Sequence, residues 1–469
     1  MISAEFSLLR REPHLLWGAI ALLLLVALSA WNGRLLLESR TVDAALAVSE
    51  ARETIAALAT QAGNGNATAT SAGAAAFGAI GATIVRPPAA TEALAIGQTD
   101  LEPNFRKLTA RNAHAALAAS APDNALRLAV GNFDVAFVLV WLIPLLVIAG
   151  FFDIVAGERE RGVLALAVVA GAAASQYLWT KWLARTLACI VLVWVAVLIA
   201  VAIGERIWTT DTLIATLGWG IAGSVYVFFW AALALVCNVG RGNSERHASV
   251  LAAAWLAFVI LVPTTINLVV SNVFPAPSRV ELAAELREAT EAADRAAAKD
   301  RDRWFFDHPD LRSGEAERAA YYRSVADSER VITNAITPKL LQFEARSKER
   351  RALTRSLQWL SPAATMHGTL TVLSHTDGAS QAAFRAALLR FHAQWQSFFF
   401  TRIDHEHPLT KDDYARLPQF EYPPASAVRA LQRAAFDLFI LFGIGVALCA
   451  YCVVRLTRLD AIPPQPEES

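Results

Sequence analysis

The chain reads as an all-α membrane protein, with six transmembrane helices and two mainly helical extracytoplasmic regions. Three observations predict this class. Six apolar runs are each near or above the length that crosses a hydrocarbon core of about 30 Å. Two long intervals between them, 32–132 and 272–430, are charged and alanine-rich instead. The composition also falls between classes: of 469 residues, 55% are hydrophobic and 18% charged, with a mean hydropathy of +0.38. That is too apolar for an ordinary soluble domain and too charged for a chain buried in lipid throughout. The formal net charge of +0 argues against a nucleic-acid binder, which carries a basic face.

Residues 1–14 set Phe6, Leu8 and Leu9 against Arg10, Arg11 and Glu12, the pattern of a short amphipathic helix lying on the inner membrane face. The first span is 15–31. The Trp31-Asn32-Gly33-Arg34 sequence after it lacks a small-x-small cleavage site, so it reads as a retained anchor and not a signal peptide. From Arg34 to about Ala62, Leu35, Leu36, Val42, Leu46, Ile55 and Leu58 recur at helical spacing. Residues 61–90 then become Gly, Ala, Asn, Ser and Thr and end at Pro87-Pro88, which reads as a flexible tract.

The further spans are 133–152, 182–203, 213–236, 248–270 and 434–454. Arg10 and Arg11, then Arg159, Arg161 and Lys181, then Arg241 and Arg246, then Arg455 and Arg458 alternate onto one side. The positive-inside rule places that side, with both termini and the 455–469 tail, in the cytoplasm. Pro144 and Pro263 are expected to kink their spans. Gly218, Gly220, Gly223 and Ser224 form a small-residue face suited to packing against a partner subunit. Asp437, one turn inside the last span, is expected to reach headgroup water. In the region 272–430, Glu281–Asp302 and Glu315–Arg355 read as a charged helical hairpin. Gln381–Arg402 is a helix whose Phe384, Leu388, Leu389, Phe391, Trp395 and Phe398 are expected to pack a core, with contact to a ligand as the alternative.

Little chemistry is visible. The four cysteines, Cys189, Cys237, Cys449 and Cys452, all lie in apolar runs, so no disulfide framework is indicated and Cys449/Cys452 read as buried thiols. Asp404-His405-Glu406-His407 is the one cluster that resembles metal ligands for copper or zinc, but its spacing matches no HExxH pattern and such residues in an extracytoplasmic loop are more often solvated, so no metal or cofactor is assigned. There is no GxxxxGK[ST] loop and no GxSxG elbow. The chain therefore reads as no enzyme and cannot grip a nucleotide in the P-loop manner, so any ATP is used by another polypeptide.

One stretch stands apart. Residues 153–181 join two spans yet carry alternating charges followed by an amphipathic alanine-rich piece, a knob in water that a soluble partner could push. Its sequence, Gly157-Glu158-Arg159-Glu160-Arg161-Gly162-Val163-Leu164, then Ala170-Gly171-Ala172-Ala173-Ala174-Ser175-Gln176 and Lys181-Trp182-Leu183-Ala184, resembles the cytoplasmic loop of ABC-2-type transporter permeases. Val163 stands for that family's threonine and Gln176 for its arginine, and the turn proline is missing. The six-span plan with large inserts resembles a bacterial subgroup, as do Ser361-Pro362-Ala363 and His375-Thr376-Asp377-Gly378 before Phe384. The resemblance implies a permease in the bacterial inner membrane that pairs with a second permease, the same or a related chain, and with a separate ABC ATPase. Gly157, Glu158, Arg159, Glu160, Arg161 and Gly162 would then form the ATPase-coupling loop, with Glu158 and Glu160 docking on the ATPase. The competing reading is a membrane-anchored scaffold or sensor that presents its extracytoplasmic helices to a partner.

Overall fold

The computed structural model describes residues 12–97, 99, 105–111, 133–162, 174–239, 242–275, 279–311, 314–423 and 425–460. The expected amphipathic start, apart from 12–14, and the end of the tail lie outside them. The protein is a multi-pass, all-α membrane protein; among the described residues six helices are long and apolar enough to cross a membrane. They are α1 (Pro13–Gly63), α2 (Val135–Phe151), α3 (Ala174–Gly204), α4 (Thr210–Val239), α5 (Ser244–Val273) and α10 (Ala427–Asp460). α2 coincides with its expected span to within two residues, and the others contain theirs. Between α5 and α10 come α6 (Arg279–Asp307), α7 (Gly314–Leu357), α8 (Pro362–Leu373) and α9 (Gly378–Asp404).

α1 is a single helix of 51 residues, about 76 Å long. It runs through Asn32-Gly33 without a break, because Gly33 serves packing and not a turn. A Cβ at Gly33 would lie 2.0 Å from the Ala93 carbonyl oxygen, so only glycine lets the 89–97 segment seat against α1. Gly33→Val is expected to lower the melting temperature by several degrees, since overpacking against backbone costs about 1–3 kcal/mol. An unchanged melt would contradict this packing. The segment itself is pinned between spans: the Thr91 N–H donates to Glu205 at 2.7 Å, the Thr91 and Ser374 hydroxyls lie 3.1 Å apart, and the Ile96 N–H donates to Asp134 at 3.0 Å.

α4 is the axis of the bundle, with Trp219, Tyr226 and Trp230 fully buried along one side. The Tyr226 hydroxyl donates to the Val140 carbonyl of α2 at 2.8 Å. The small-residue face of α4 is used within the chain, which corrects the expected contact with a partner subunit. A Cβ at Gly220 would meet the Trp194 ring at 2.4 Å, one at Gly223 would meet Val193 at 2.4 Å and one at Gly218 would meet Leu373 at 2.9 Å. The Trp194 indole donates to Ser224 at 3.1 Å. Pro144 sits within an unbroken α2, whereas in α5 a π-helical stretch, Leu256–Leu261, precedes Pro263. The wider turn accommodates the proline's missing N–H and its ring.

The region 272–430 does not stay outside the bundle. Ala363, Met366, Leu370 and Leu373 of α8 belong to the same buried cluster as Trp219 and Val138. Twelve residues span about 18 Å, too short to cross about 30 Å of hydrocarbon, so α8 is a half-helix inserted among full-length ones. Its start is fastened by Ser361, whose hydroxyl donates to the Phe258 carbonyl at 2.5 Å and accepts from the Ala364 N–H at 3.0 Å. Asp437 is likewise not solvated as expected. It is 2% exposed, accepts from the Trp359 indole at 3.0 Å and lies 3.6 Å from Arg355, so it ties the end of α7 to α10.

The hairpin expected in this region is present as α6 and α7, with its own core of Leu286, Ala293, Ile332 and Ile336. The Gly/Ala tract 61–90, expected to be flexible, is folded onto α9. Asn66 and Ser71 cap two short helices, and Ala72, Ala75, Ala76, Ile80 and Ile84 pack with Phe384, Leu388, Phe391, Trp395 and Phe399. Small residues suit this place because the aromatic face of α9 and Tyr322 already fill it. A Cβ at Gly73 would be 2.1 Å from the Tyr322 ring. The tract ends in β1 (Ala82–Val85), which pairs antiparallel with β2 (Phe105–Leu108) in register Ala82 to Leu108, a small sheet that the helical expectation did not contain.

Candidate functional site

The loop 153–181 begins where α2 runs out of apolar residues. Asn238 of α4 holds that end: its amide donates to the Phe151 carbonyl at 2.9 Å, and its oxygen accepts from the Val155 N–H at 3.4 Å. A buried side-chain amide thus takes the place of the missing helical partners. The chain then forms a short helix, Ala156–Glu160, and leaves it at Gly162 with φ +72°, a left-handed backbone that glycine adopts without strain.

This elbow has two sides. Ala156, Gly157 and Glu158 are buried, while Arg159, Glu160, Arg161 and Gly162 are exposed. Glu158, 7% exposed, accepts from Lys181 at 2.6 Å, Arg161 at 3.2 Å and the Tyr177 hydroxyl at 3.3 Å. Burial opposes its ionisation, but the Lys181 and Arg161 hydrogen bonds and charges outweigh this and hold the carboxyl below its usual range. Gly157 leaves room for these side chains: a Cβ there would lie 3.0 Å from the Asp153 carboxylate and 3.2 Å from the Arg161 guanidinium, so both would have to shift.

Tyr177, Lys181 and Arg185 recur every four residues and so line one face of α3. Arg185 continues the clamp: it donates to the Gly150 carbonyl, lies 3.7 Å from Asp153 and pairs with Glu12 at 3.1 Å. Glu160 reaches the other way, accepting the Ser244 N–H at 2.8 Å and its hydroxyl at 2.9 Å at the start of α5. The Ser244 hydrogen bonds lower the Glu160 pKa, as a carboxylate at a helix N-terminus should show.

Four of the six expected loop residues are thus tied to named partners or packing: Gly157, Glu158 and Arg161 in the clamp with α3, and Glu160 at α5. Arg159 and Gly162 complete the exposed rim. The amphipathic piece expected after Gly162, residues 163–173, lies outside the described residues. Sequence reasoning missed Asn238, Tyr177, Arg185, Glu12 and Ser244; the one available signal was an arginine, Arg185, inside an apolar run.

The Asp404–His407 cluster is engaged otherwise. Arg330 holds Asp404 at 2.6 Å and Arg323 pairs with Glu406. Among the described residues, no group of three or more His, Cys, Asp or Glu is arranged to hold a metal ion.

Comparison with known proteins addresses the other end of the chain. The model of a family described as a domain of unknown function, DUF3526, matches residues 279–423, from α6 through α9 to the segment before α10. No curated protein matches the chain.

Proposed function

We propose that this chain is the permease subunit of an ABC-type transporter of the ABC-2 kind, driven by ATP hydrolysis in a separate ATPase. On this reading it lies in a bacterial inner membrane with both termini and the elbow in the cytoplasm. The hairpin, the sheet and α9 lie on the opposite side, and a second permease, of the same or a related chain, completes the pathway. The observation that carries it is the two-sided elbow. Its exposed rim, Arg159 to Gly162, is accessible to a soluble partner; its buried side is bonded to α4 through Asn238 and to α3 through Lys181, and Glu160 of the rim is bonded to α5 through Ser244. A push on the rim is therefore delivered to α3, α4 and α5 together. Glu158 acts in this scheme as a positioning residue and the rim makes the docking contact.

The test is copurification from the native membrane with a polypeptide that a photoreactive ATP analogue labels. The reversal Arg159→Glu, at a rim position, should abolish that labelled band while the permease keeps its expression level and melting temperature. An undiminished band would defeat the docking assignment. The scaffold or sensor reading draws on the packed α6–α9 domain. It would gain ground if disabling the ATP site of any copurified ATPase left the cellular phenotype unchanged.

A further inference from the structure

The exposed face of α1 extends beyond the bilayer. At 100° per residue, Trp17, Leu24, Leu28, Leu35, Val42 and Leu46 fall within about 40° of one another, and Trp17 to Leu46 measures about 44 Å. A hydrocarbon core of about 30 Å covers the lower part of such a stripe. Val42 and Leu46, each 57% exposed, are left above it. Two side chains fall well short of the roughly 1,000 Å² that a stable protein interface buries, so a second copy packed along α1 does not explain them.

The stripe does lead somewhere. Leu46 also lines a groove of about 470 Å³ between α1 and the β1–β2 sheet, with Ile55, Ile80 and Phe105 among its apolar walls. That volume is in the ordinary range for small-molecule sites of roughly 300–1,000 Å³. Asp43 and Glu50, seven residues apart on α1, line it opposite Lys107 of β2. Neither carboxylate is in an ion pair with another described residue. Two acids against one lysine favour a positive head over a negative one.

We propose that this groove binds a single-chain cationic amphiphile, an apolar tail with an amine head, which reaches it from the bilayer along the Leu28–Leu46 stripe. The tail exchanges lipid for the Leu46–Ile55–Phe105 wall, and the head stays in water beside Asp43 and Glu50. The site is independent of the transport reading, since its occupation requires no ATPase.

The test uses the full chain in lipid nanodiscs with two photoreactive probes of equal chain length, a long-chain amine and the matching fatty acid. The amine should label peptides from 43–55 and 80–85 in preference to the fatty acid. Asp43→Asn with Glu50→Gln should reduce labelling several-fold, and Ala51→Trp, which fills the groove, should remove it. Leu46→Ser, at an exposed position where folding tolerates the change, should weaken it as well. The proposal is overturned if the fatty acid labels as strongly as the amine or if Ala51→Trp leaves the label in place. It is also overturned if Val42→Cys yields a disulfide-linked dimer of this chain that excludes the amine.

Discussion

Replacing Lys181 with methionine should destabilise the elbow more than any single change at its rim. Lys181 is 5% exposed and Glu158 is 7% exposed, and their 2.6 Å contact is the shortest that Glu158 makes. Taking one partner from a buried ion pair costs about 3–5 kcal/mol when nothing else meets the charge left behind; here the more exposed Arg161 still faces Glu158 at 3.2 Å, so the lower end of that range is expected. The expected result is a large drop in melting temperature and in the yield of monodisperse protein. The paired change Glu158→Gln with Lys181→Met should restore most of the loss, because both charges then disappear together. The pH dependence has a definite sign. Glu158 has a folded pKa below its unfolded value, so its stabilisation is complete above the unfolded pKa of about 4.3 and is lost as pH falls through the lower folded value. The paired variant should lack that acid limb. If Lys181→Met melted like the parent, Glu158 would not be clamped as described.

The second large effect is expected from Trp395→Ala, which should release the 61–90 tract from α9. Trp395 is 1% exposed, with ring centroids 5.9 Å from Phe391 and 5.3 Å from Phe399. Removing a buried indole costs about 3–5 kcal/mol. Limited proteolysis provides the specific readout: the parent should resist cleavage between Gln61 and Ala90, and the variant should be cut there while α2 to α5 stay intact. Equal resistance in both proteins would mean that the tract does not depend on this core.

Both experiments concern places where local sequence and tertiary structure disagree, and the reasons differ. The six spans were legible because hydropathy over twenty residues is a local property, and α6 and α7 because a charge-rich, alanine-rich run with few helix breakers is local too. The folded state of 61–90 was not, since Ala72, Ala75 and Ala76 acquire their meaning only from the Phe384–Phe399 face some three hundred residues away. α8 was hidden by its length: twelve residues of mixed Thr and Leu resemble any short amphipathic helix, and only the neighbouring Trp219 shows that it belongs in the bundle. The glycines of α4 signalled close packing correctly but not with which partner, and Trp194 and Val193 of the same chain turned out to fill the space. At the elbow, the charged residues were visible, yet which carboxylate faces inward was not. Glu158 and Glu160 are two positions apart on a helix and therefore point to different sides, and only the position of α3 decides that the first is buried.

The unbroken first helix has a mechanical consequence. Ala62 and the flanking Ile55 and Leu58 belong to the core built around α9, while Leu22 and Val26, in the same rod, belong to the bundle. With no joint at Gly33, a small tilt at the level of the lipid is magnified at the far tip like the motion of an oar about its rowlock. For an arm of roughly 50 Å, ten degrees becomes about 9 Å of travel. The α9 core would then swing with α1 as one piece, and work done on one side of the bilayer would arrive on the other as displacement and not as refolding.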